Sequence, residues 1–235
     1  MRKTPKNRKE LFATISSLIV KQEWHDLPDI SRYKGTGGPG NYLEDQLGAD
    51  AGNMDIADTL GYELKWYTKR THLVTLFHKE ATGPDEVMLN MVRKYGRKDS
   101  RGRMSFRHTI KGKSDRFKIH DDGNRLIVKS VKGNGFVPYW SHDELVAAAG
   151  AKLRRLIMVL GERNGRRIRF LRADAYETFH LVDFIWEVMR GTIAIDFDVR
   201  EARPGSTALR NHGTKFRIPS DDICRLYLKK DRIAG

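Results

Sequence analysis

RRLIMVLGERNGRRIRFL, residues 154–171, sets the strongest constraint on how this chain can fold. The apolar run LIMVL (156–160) and the segment carrying Ile168 and Phe170 flank Asn164-Gly165, a dipeptide favoured in tight turns between strands because both residues tolerate positive φ. Both segments read as core strands, so a sheet must lie at the centre of whatever the rest of the chain builds.

The other segments supply helices as well as strands. Residues 8–22 set Leu11, Phe12, Ile15, Leu18 and Ile19 at the spacing of one helical face, which predicts a packing helix. GTGGPG (35–40) interrupts that pattern. NYLEDQLG resumes it with Leu43 and Leu47 four apart, so a loop is expected to feed a short helix that stops at Gly48. YELKWY and LVTLFH read as successive strands. PDEVMLNMVRKYG predicts a helix with Pro84 at its start, Val87, Leu89 and Met91 near its buried side, and Gly96 after its end. Between 97 and 136 the chain turns basic and glycine-punctuated, yet FKI and LIV still alternate, which predicts hairpins rather than a linker. SHDELVAAAGAKLRR opens on Ser141 with Glu144 three positions later, a capping box. FHLVDFIWEVMRG predicts a helix ended by Gly191, and IAIDFDVRE a strand with Ile193, Ile195 and Phe197 on one face. The class is mixed α/β (α+β), with strands too unevenly spaced for a βα barrel.

Charge narrows the function classes. Forty-four Lys and Arg against thirty Asp and Glu give a formal charge of +14, so a polyanion is the expected macromolecular partner and nucleic acid leads that list. No run of eighteen apolar residues occurs, and LFATISSLIV (11–20) is too short and too interrupted to span a bilayer. No small-residue cleavage site follows it, which argues against a secretory signal. The single cysteine, Cys224, excludes an internal disulfide or a Cys-rich zinc site and fits a reducing cytoplasm. Cys224 is expected to pack on a C-terminal helix, and Trp24, Trp66, Trp140 and Trp186 to sit in the core.

The stretch GADAGNMDIADTLGYELKWYTKR (48–70) raises the chemical question. On a strand, residues two apart face the same side, so Glu63 and Lys65 project together while Leu64 enters the core. Phosphodiester hydrolysis needs a hard divalent cation, oxygen ligands to hold it, and a group to orient or deprotonate the attacking water. Asp58 and Glu63 can supply the oxygens, with Leu60 and Gly61 turning the chain between them, and Lys65 can serve the water or the phosphate. Asp55 rivals Asp58 as ligand. An ordinary strand with alternating charges on a solvated face explains the same pattern. The apolar setting of Leu64, Trp66 and LVTLF weighs against that plain reading, because an unpaired ionised pair is costly there. GTGGPG lacks the Lys-Ser/Thr ending of a nucleotide-binding loop and is expected to allow a close approach ahead of the helix bearing Glu44.

In this setting EWHDLPDISRYKGTGGPGNYLEDQLG, ADTLGYELK, VTLFHKEATGPDEVMLNMVRKYGRKDSRGR, PYWSHDEL and RNHGTKFRI, in that order, resemble successive blocks of the MvaI/BcnI family of type II restriction endonucleases. A weaker likeness is to the MutH mismatch-repair nickase, whose Asp-to-Glu gap is longer. The resemblance implies a restriction-endonuclease-like PD-(D/E)xK core, a mixed sheet flanked by helices, with two lobes forming a DNA cleft. It implies Mg2+ as cofactor and Glu44, Asp58, Glu63 and Lys65 as the catalytic set, with Asp58 and Glu63 as metal ligands. Asp58 is preferred over Asp55 because it keeps the family's four-residue gap to Glu63. Ala57 stands where the family has the proline of its motif, a harmless departure since that proline holds no metal. The implied enzyme is a monomer that cuts double-stranded DNA at CC-N-GG-like sites, works in the cytoplasm beside a cognate DNA methyltransferase, and has no membrane role. A MutH-like nickase and a silent DNA-binding module are the alternatives.

A single bilobal nuclease is expected over 1–235, with roughly 1–82 as catalytic segment, 83–140 as basic helix and hairpins, and 141–235 completing the core and carrying a recognition loop. VREARPGSTALRNHGTKFRI (199–218) is expected to protrude as that loop, its tip offering Arg210, Asn211 and His212 to base edges, with Arg217 following. His78, at a strand end, is a candidate base contact. Arg97, Lys98, Arg101, Arg103, Lys111 and Lys113 are candidates for phosphate contacts. His25, His108, His120, His142 and His180 show no metal-ligand spacing.

Overall fold

The Asn164-Gly165 signal does join antiparallel strands: Asn164 pairs with Arg167, leaving Gly165 and Arg166 as the turn. The computed structural model describes residues 4–49, 58–133 and 137–235. In chain order the elements are α1 (Arg8–Val20), β1 (His25–Asp26), α2 (Gly38–Gln46), β2 (Glu63–Tyr67), β3 (Val74–His78), α3 (Val87–Tyr95), β4 (Arg97–Lys98), β5 (Met104–Ile110), β6 (Phe117–Asp121) and β7 (Arg125–Ser130). They continue through β8 (Tyr139–Ser141), α4 (His142–Leu153), β9 (Arg155–Asn164), β10 (Arg167–Phe179), α5 (Leu181–Arg190), β11 (Ala194–Glu201), β12 (Leu209–Asn211), β13 (Lys215–Ile218) and β14 (Tyr227–Ala234). None of the described helices is long and apolar enough to cross a membrane.

The chain divides into two units, one of residues 1–74, 150–180 and 223–235, the other of residues 75–149 and 181–222. The first is built on a mixed sheet ordered β1-β10-β9-β2, with β14 also on β10. β2 runs parallel to β9, register Glu63↔Leu156 through Tyr67↔Leu160, while β10 pairs antiparallel with β9, β1 and β14. Leu11, Ile15 and Ile19 of α1 and Leu43 and Leu47 at α2 pack with Leu64, Ile157, Val159, Ile168 and Phe170 of this sheet. The expected periodicity of α1 is thereby realised: its buried residues are one stripe of one face.

The second unit holds a sheet ordered β3-β13-β11-β5-β4, with β12 also on β11, and a three-stranded sheet β6-β7-β8. Aromatic rings fill its core. Phe77 stacks on Phe216 at 5.0 Å, and Trp140 meets Phe216 edge-on at 5.6 Å while its indole nitrogen donates to Lys79 O at 3.0 Å. The basic 97–130 segment forms strands β4–β7, as its residual alternation predicts.

Four local expectations change. α3 begins at Val87, not at Pro84, because Val87 N–H closes a turn on Pro84 O before the helix starts. Only half of the capping box forms: Glu144 N–H donates to Ser141 Oγ at 3.3 Å, but the Glu144 carboxylate pairs with Lys79 Nζ at 2.7 Å. Cys224 is exposed on a 3-10 turn, Ser220–Leu226, whose buried residues are Ile223 and Leu226. Trp186 is 60% exposed, since α5 buries Phe184, Glu187 and Val188 on the other side.

Candidate active site

β2 presents the alternation that its sequence dictates. Glu63 is 4% exposed, and Lys65 Nζ donates to its Oε1 at 2.5 Å, so the two charges on one strand face compensate each other in a buried setting. Asp58 reaches the same place through a tight turn. Thr59 pairs with Tyr62, and both central residues are left-handed, Leu60 at φ 47° and Gly61 at φ 75°. The turn folds Asp58 back so that its Oδ2 accepts the Leu64 N–H at 2.7 Å. The five-residue separation of Asp58 from Glu63 is thus no obstacle to their convergence.

Glu44 comes from α2. The glycines ahead of it serve a close approach: a Cβ on Gly38 would lie 2.0 Å from the backbone oxygen of Tyr33. Helix α2 begins at that glycine, inside the GTGGPG segment. Arg32 then bridges to Glu44 at 3.3 Å and to both oxygens of Asp45, while Tyr33 OH donates to Asp45 at 2.5 Å. Burial, then the negative charge of Asp58, pushes the Glu44 carboxyl above the usual carboxylate range, with Arg32 opposing. Glu63 is also raised, by burial first, against Lys65 and with Asp58 adding to it. Glu44 and Glu63 are therefore both close enough to Asp58 to feel its charge.

Lys152, absent from the sequence-derived set, stands 3.5 Å from Glu63 Oε2. That oxygen is buried without a hydrogen-bond partner. Lys152 has no strand-mate signature: the sequence shows it only as a charged residue near the end of α4, and tertiary packing brings that helix end to Glu63. Nearby, Tyr227 OH donates to Leu153 O at 2.8 Å, closing the end of that helix. Asp55 and Ala57 lie outside the described residues.

Among the described residues no three His, Cys, Asp or Glu side chains form a ready metal cage. A magnesium site does not require one, since that ion commonly takes one or two carboxylates and fills its octahedron with water and substrate phosphate. The Asp58–Glu63 pair, with an unpartnered buried oxygen on Glu63, fits such an ion.

The remaining candidates lie in the second unit. His78 ends β3, exposed, with Gly213 against its imidazole. Arg101 and Lys113 are exposed, the first in the turn whose amide donates to Asp99 Oδ1 at 2.8 Å. Arg103 of the same stretch is only 8% exposed, and its guanidinium is occupied by Asp99. Arg210 and Asn211 are not at a loop tip. They belong to β12, in register Arg200↔Arg210 and Val199↔Asn211, and the connection that projects is 202–208. The turn closes early because Glu201 Oε2 accepts both Gly205 N–H at 3.1 Å and Met104 N–H at 2.8 Å. Arg210, Asn211 and His212 stay exposed along this edge, and Arg217 pairs with Asp196 at 3.1 Å. Glu80, which the sequence did not single out, accepts from Thr214 N–H at 2.8 Å and Asn211 Nδ2 at 3.0 Å, clamping the segment against the end of β3.

Among solved structures, restriction endonuclease MvaI in complex with its cognate DNA substrate superposes with TM-score 0.80 at 23% identity, over 99% of this chain and 100% of that one. MvaI in the absence of DNA gives TM-score 0.58 at 22% identity, over 100% of both chains. No curated protein matches. The restriction-endonuclease fold is shared, and the family model for MvaI/BcnI restriction endonucleases matches residues 17–227, β2 included. The chain belongs to the MvaI/BcnI restriction endonuclease family and is a type II site-specific nuclease.

Proposed function

We propose that this enzyme hydrolyses both strands of duplex DNA at a short C·G-rich site of the CC-N-GG kind, with Mg2+ as cofactor, leaving 5′-phosphate and 3′-hydroxyl ends. The observation that carries the reading is the convergence of Asp58, tied to the Leu64 amide, with the buried Glu63–Lys65 pair. Asp58 and Glu63 would hold the magnesium, which when bound offsets the charge of the scissile phosphate and lowers the pKa of water. Lys65 Nζ, hydrogen-bonded to Glu63, is placed to orient the attacking water or a phosphate oxygen. Lys152 shares the charge of Glu63 and keeps the site tolerant of two close carboxylates. Glu44, steadied by Arg32, adds a third carboxylate toward the same point.

In this reading the chain acts as a monomer in the cytoplasm, on double-stranded DNA and not at a membrane, with a cognate DNA methyltransferase protecting host sites. His78, Arg210, Asn211, His212 and Arg217 serve recognition, and Arg101 and Lys113 meet phosphates. One metal site per chain requires the two strands to be cut in turn. Incubation with supercoiled plasmid and Mg2+ tests the whole proposal: nicked circles should accumulate first and then become linear DNA with ends at defined sites. Nicked circles alone would indicate a nickase, unchanged supercoils a binding module, and direct conversion to linear DNA by a stable dimer would exclude the monomer.

A further inference from the structure

The basic hairpins contain a built pocket. Tyr95, β4 and β5 residues 105–108, and Arg116 enclose about 440 Å³. Tyr95 and His108 are its partly exposed rings, backed by the buried Phe106 and Phe117: the His108 ring lies 5.2 Å from Phe117 and 5.9 Å from Phe106, and Tyr95 5.1 Å from Phe117. Its walls are cationic. Arg116 is fixed by donating to Tyr95 O at 2.9 Å, and Arg107 by Asp198 at 2.9 Å. Arg97 and Lys98 are exposed on the rim, and no carboxylate among the described residues pairs with either. Asp99, the carboxylate in the lining, is committed elsewhere. It takes the Arg103 guanidinium at 2.9 and 2.7 Å and the amides of Arg101 and Arg103, which together hold it at about 2. His108 Nε2 is buried without a hydrogen-bond partner.

Excess positive charge beside the partly exposed Tyr95 ring is the complement of a phosphate joined to a sugar. We propose that this pocket seats one backbone phosphate of duplex DNA together with its deoxyribose, as a sequence-independent anchor distinct from the residues assigned to hydrolysis. The ligand's identity rests on the reading of the chain as a DNA enzyme. The phosphate oxygens accept from Arg97 and Lys98, and the sugar packs against the partly exposed Tyr95 ring. A bare phosphate would leave much of the cavity empty. Such a contact fixes register on the duplex without reading bases.

His108 provides a reporter inside the pocket. Burial, then the positive charges of Arg116 and Arg97, holds this imidazole below its ordinary range. The other charged groups about the cavity are Lys98, Arg107 and the committed Asp99. An anion seated against Arg97 and Arg116 offsets their repulsion, so the His108 midpoint should rise on binding.

The experiment follows the His108 ring by NMR in the full-length protein, assigned with His108→Gln, in Ca2+ and with a duplex lacking the cleavage site. Its second arm measures the salt dependence of duplex affinity for wild type and the Arg97→Ala/Lys98→Ala variant. The proposal expects the duplex to raise the His108 midpoint and the double substitution to flatten the salt slope by about two units, about one per lost phosphate contact. An unmoved midpoint in wild type, or an unchanged slope in a folded variant, overturns it. Equal movement with inorganic phosphate, together with an unchanged slope, would assign the pocket to free phosphate and likewise overturn the DNA anchor. Plasmid cleavage by the wild-type enzyme is scored separately, so a failed anchor and a failed nuclease reading give different results.

Discussion

Lys65 Nζ lies 2.5 Å from Glu63 Oε1, while Lys152 approaches the other oxygen of the same carboxylate at 3.5 Å. One buried acid is thus shared by two ammonium groups with different positions in the chain. Lys65 issues from the same strand and is fixed by its alternation; Lys152 arrives from the end of α4. Lys65→Ala should lower single-turnover cleavage by roughly 10²–10⁴-fold, the range for losing a positioned acid–base group. Lys152→Ala should cost less, because Lys65 remains to compensate Glu63. Equal rates for Lys65→Ala and wild type would remove Lys65 from the chemistry.

Asp58 makes a structural bond and is proposed for a metal bond, through a carboxylate with two oxygens. Its Oδ2 accepts the Leu64 amide, leaving Oδ1 for a cation. Asp58→Ala and Glu63→Ala should each abolish cleavage, while specific DNA binding in Ca2+ persists, since calcium fills oxygen sites without supporting efficient hydrolysis. Asp58→Asn is the stricter variant, because its amide oxygen can still accept from Leu64 while the charge is gone. Normal activity in Asp58→Ala with loss in Asp55→Ala would move the ligand to Asp55.

Glu44 depends on a backbone contact that its own side chain does not make. Gly38 touches the Tyr33 carbonyl so closely that an added methyl, 2.0 Å from that oxygen, must displace either α2 or the Tyr33 segment. Gly38→Ala is expected to destabilise the protein by about 1–3 kcal/mol, the usual cost of overpacking, and to reduce cleavage through Glu44. Gly37→Ala, one residue earlier, meets nothing within 4 Å and serves as control. Matching melting temperatures and rates for the two variants would show that the close approach does not matter.

What the sequence disclosed, and what it concealed, follows from the range of each interaction. The E-x-K alternation and the helical stripe of Leu11, Ile15 and Ile19 are local, so residue spacing alone exposed them. The Asp58 turn was legible because Gly61 advertises positive φ, although Leu60 joins it in that region without any such signal. Lys152, Arg32 and Glu80 owe their places to helix and loop packing against residues distant in sequence, which no local pattern encodes. The Pro204-Gly205 break by itself predicts a loop with Arg210, Asn211 and His212 at its tip. The pairing of β12 with β11, set by non-local hydrogen bonds, moves that tip upstream. The exposure of Cys224 and Trp186 has the same origin: residue type gives a tendency to be buried, and the neighbouring elements decide.

The segment proposed for recognition yields the last prediction. Arg210 of β12 and His212 just after it are exposed, while Asn211 is tied on one side to Glu80 and on the other accepts the Gly213 N–H at 3.0 Å. Arg can fork onto guanine O6 and N7, and His can give or accept a single bond in either groove. Asn211, already engaged, is better suited to shaping the segment than to reading a base. Arg210→Ala and His212→Ala should each weaken cleavage of the cognate site by roughly 1–3 kcal/mol per lost base contact, leaving the salt slope of non-specific binding nearly unchanged. Arg101→Ala and Lys113→Ala should instead weaken binding to every sequence and flatten that slope by about one unit each. Glu80→Ala, which touches no base in this scheme, should erode discrimination against single-mismatch sites because it releases Asn211 and Thr214 together. Glu80→Gln, able to keep the bond from the Thr214 amide, should restore part of it. Cleavage rates on cognate and single-mismatch duplexes decide the matter: if Arg210→Ala and His212→Ala cut the cognate site at the wild-type rate with the wild-type preference, this edge does not read DNA.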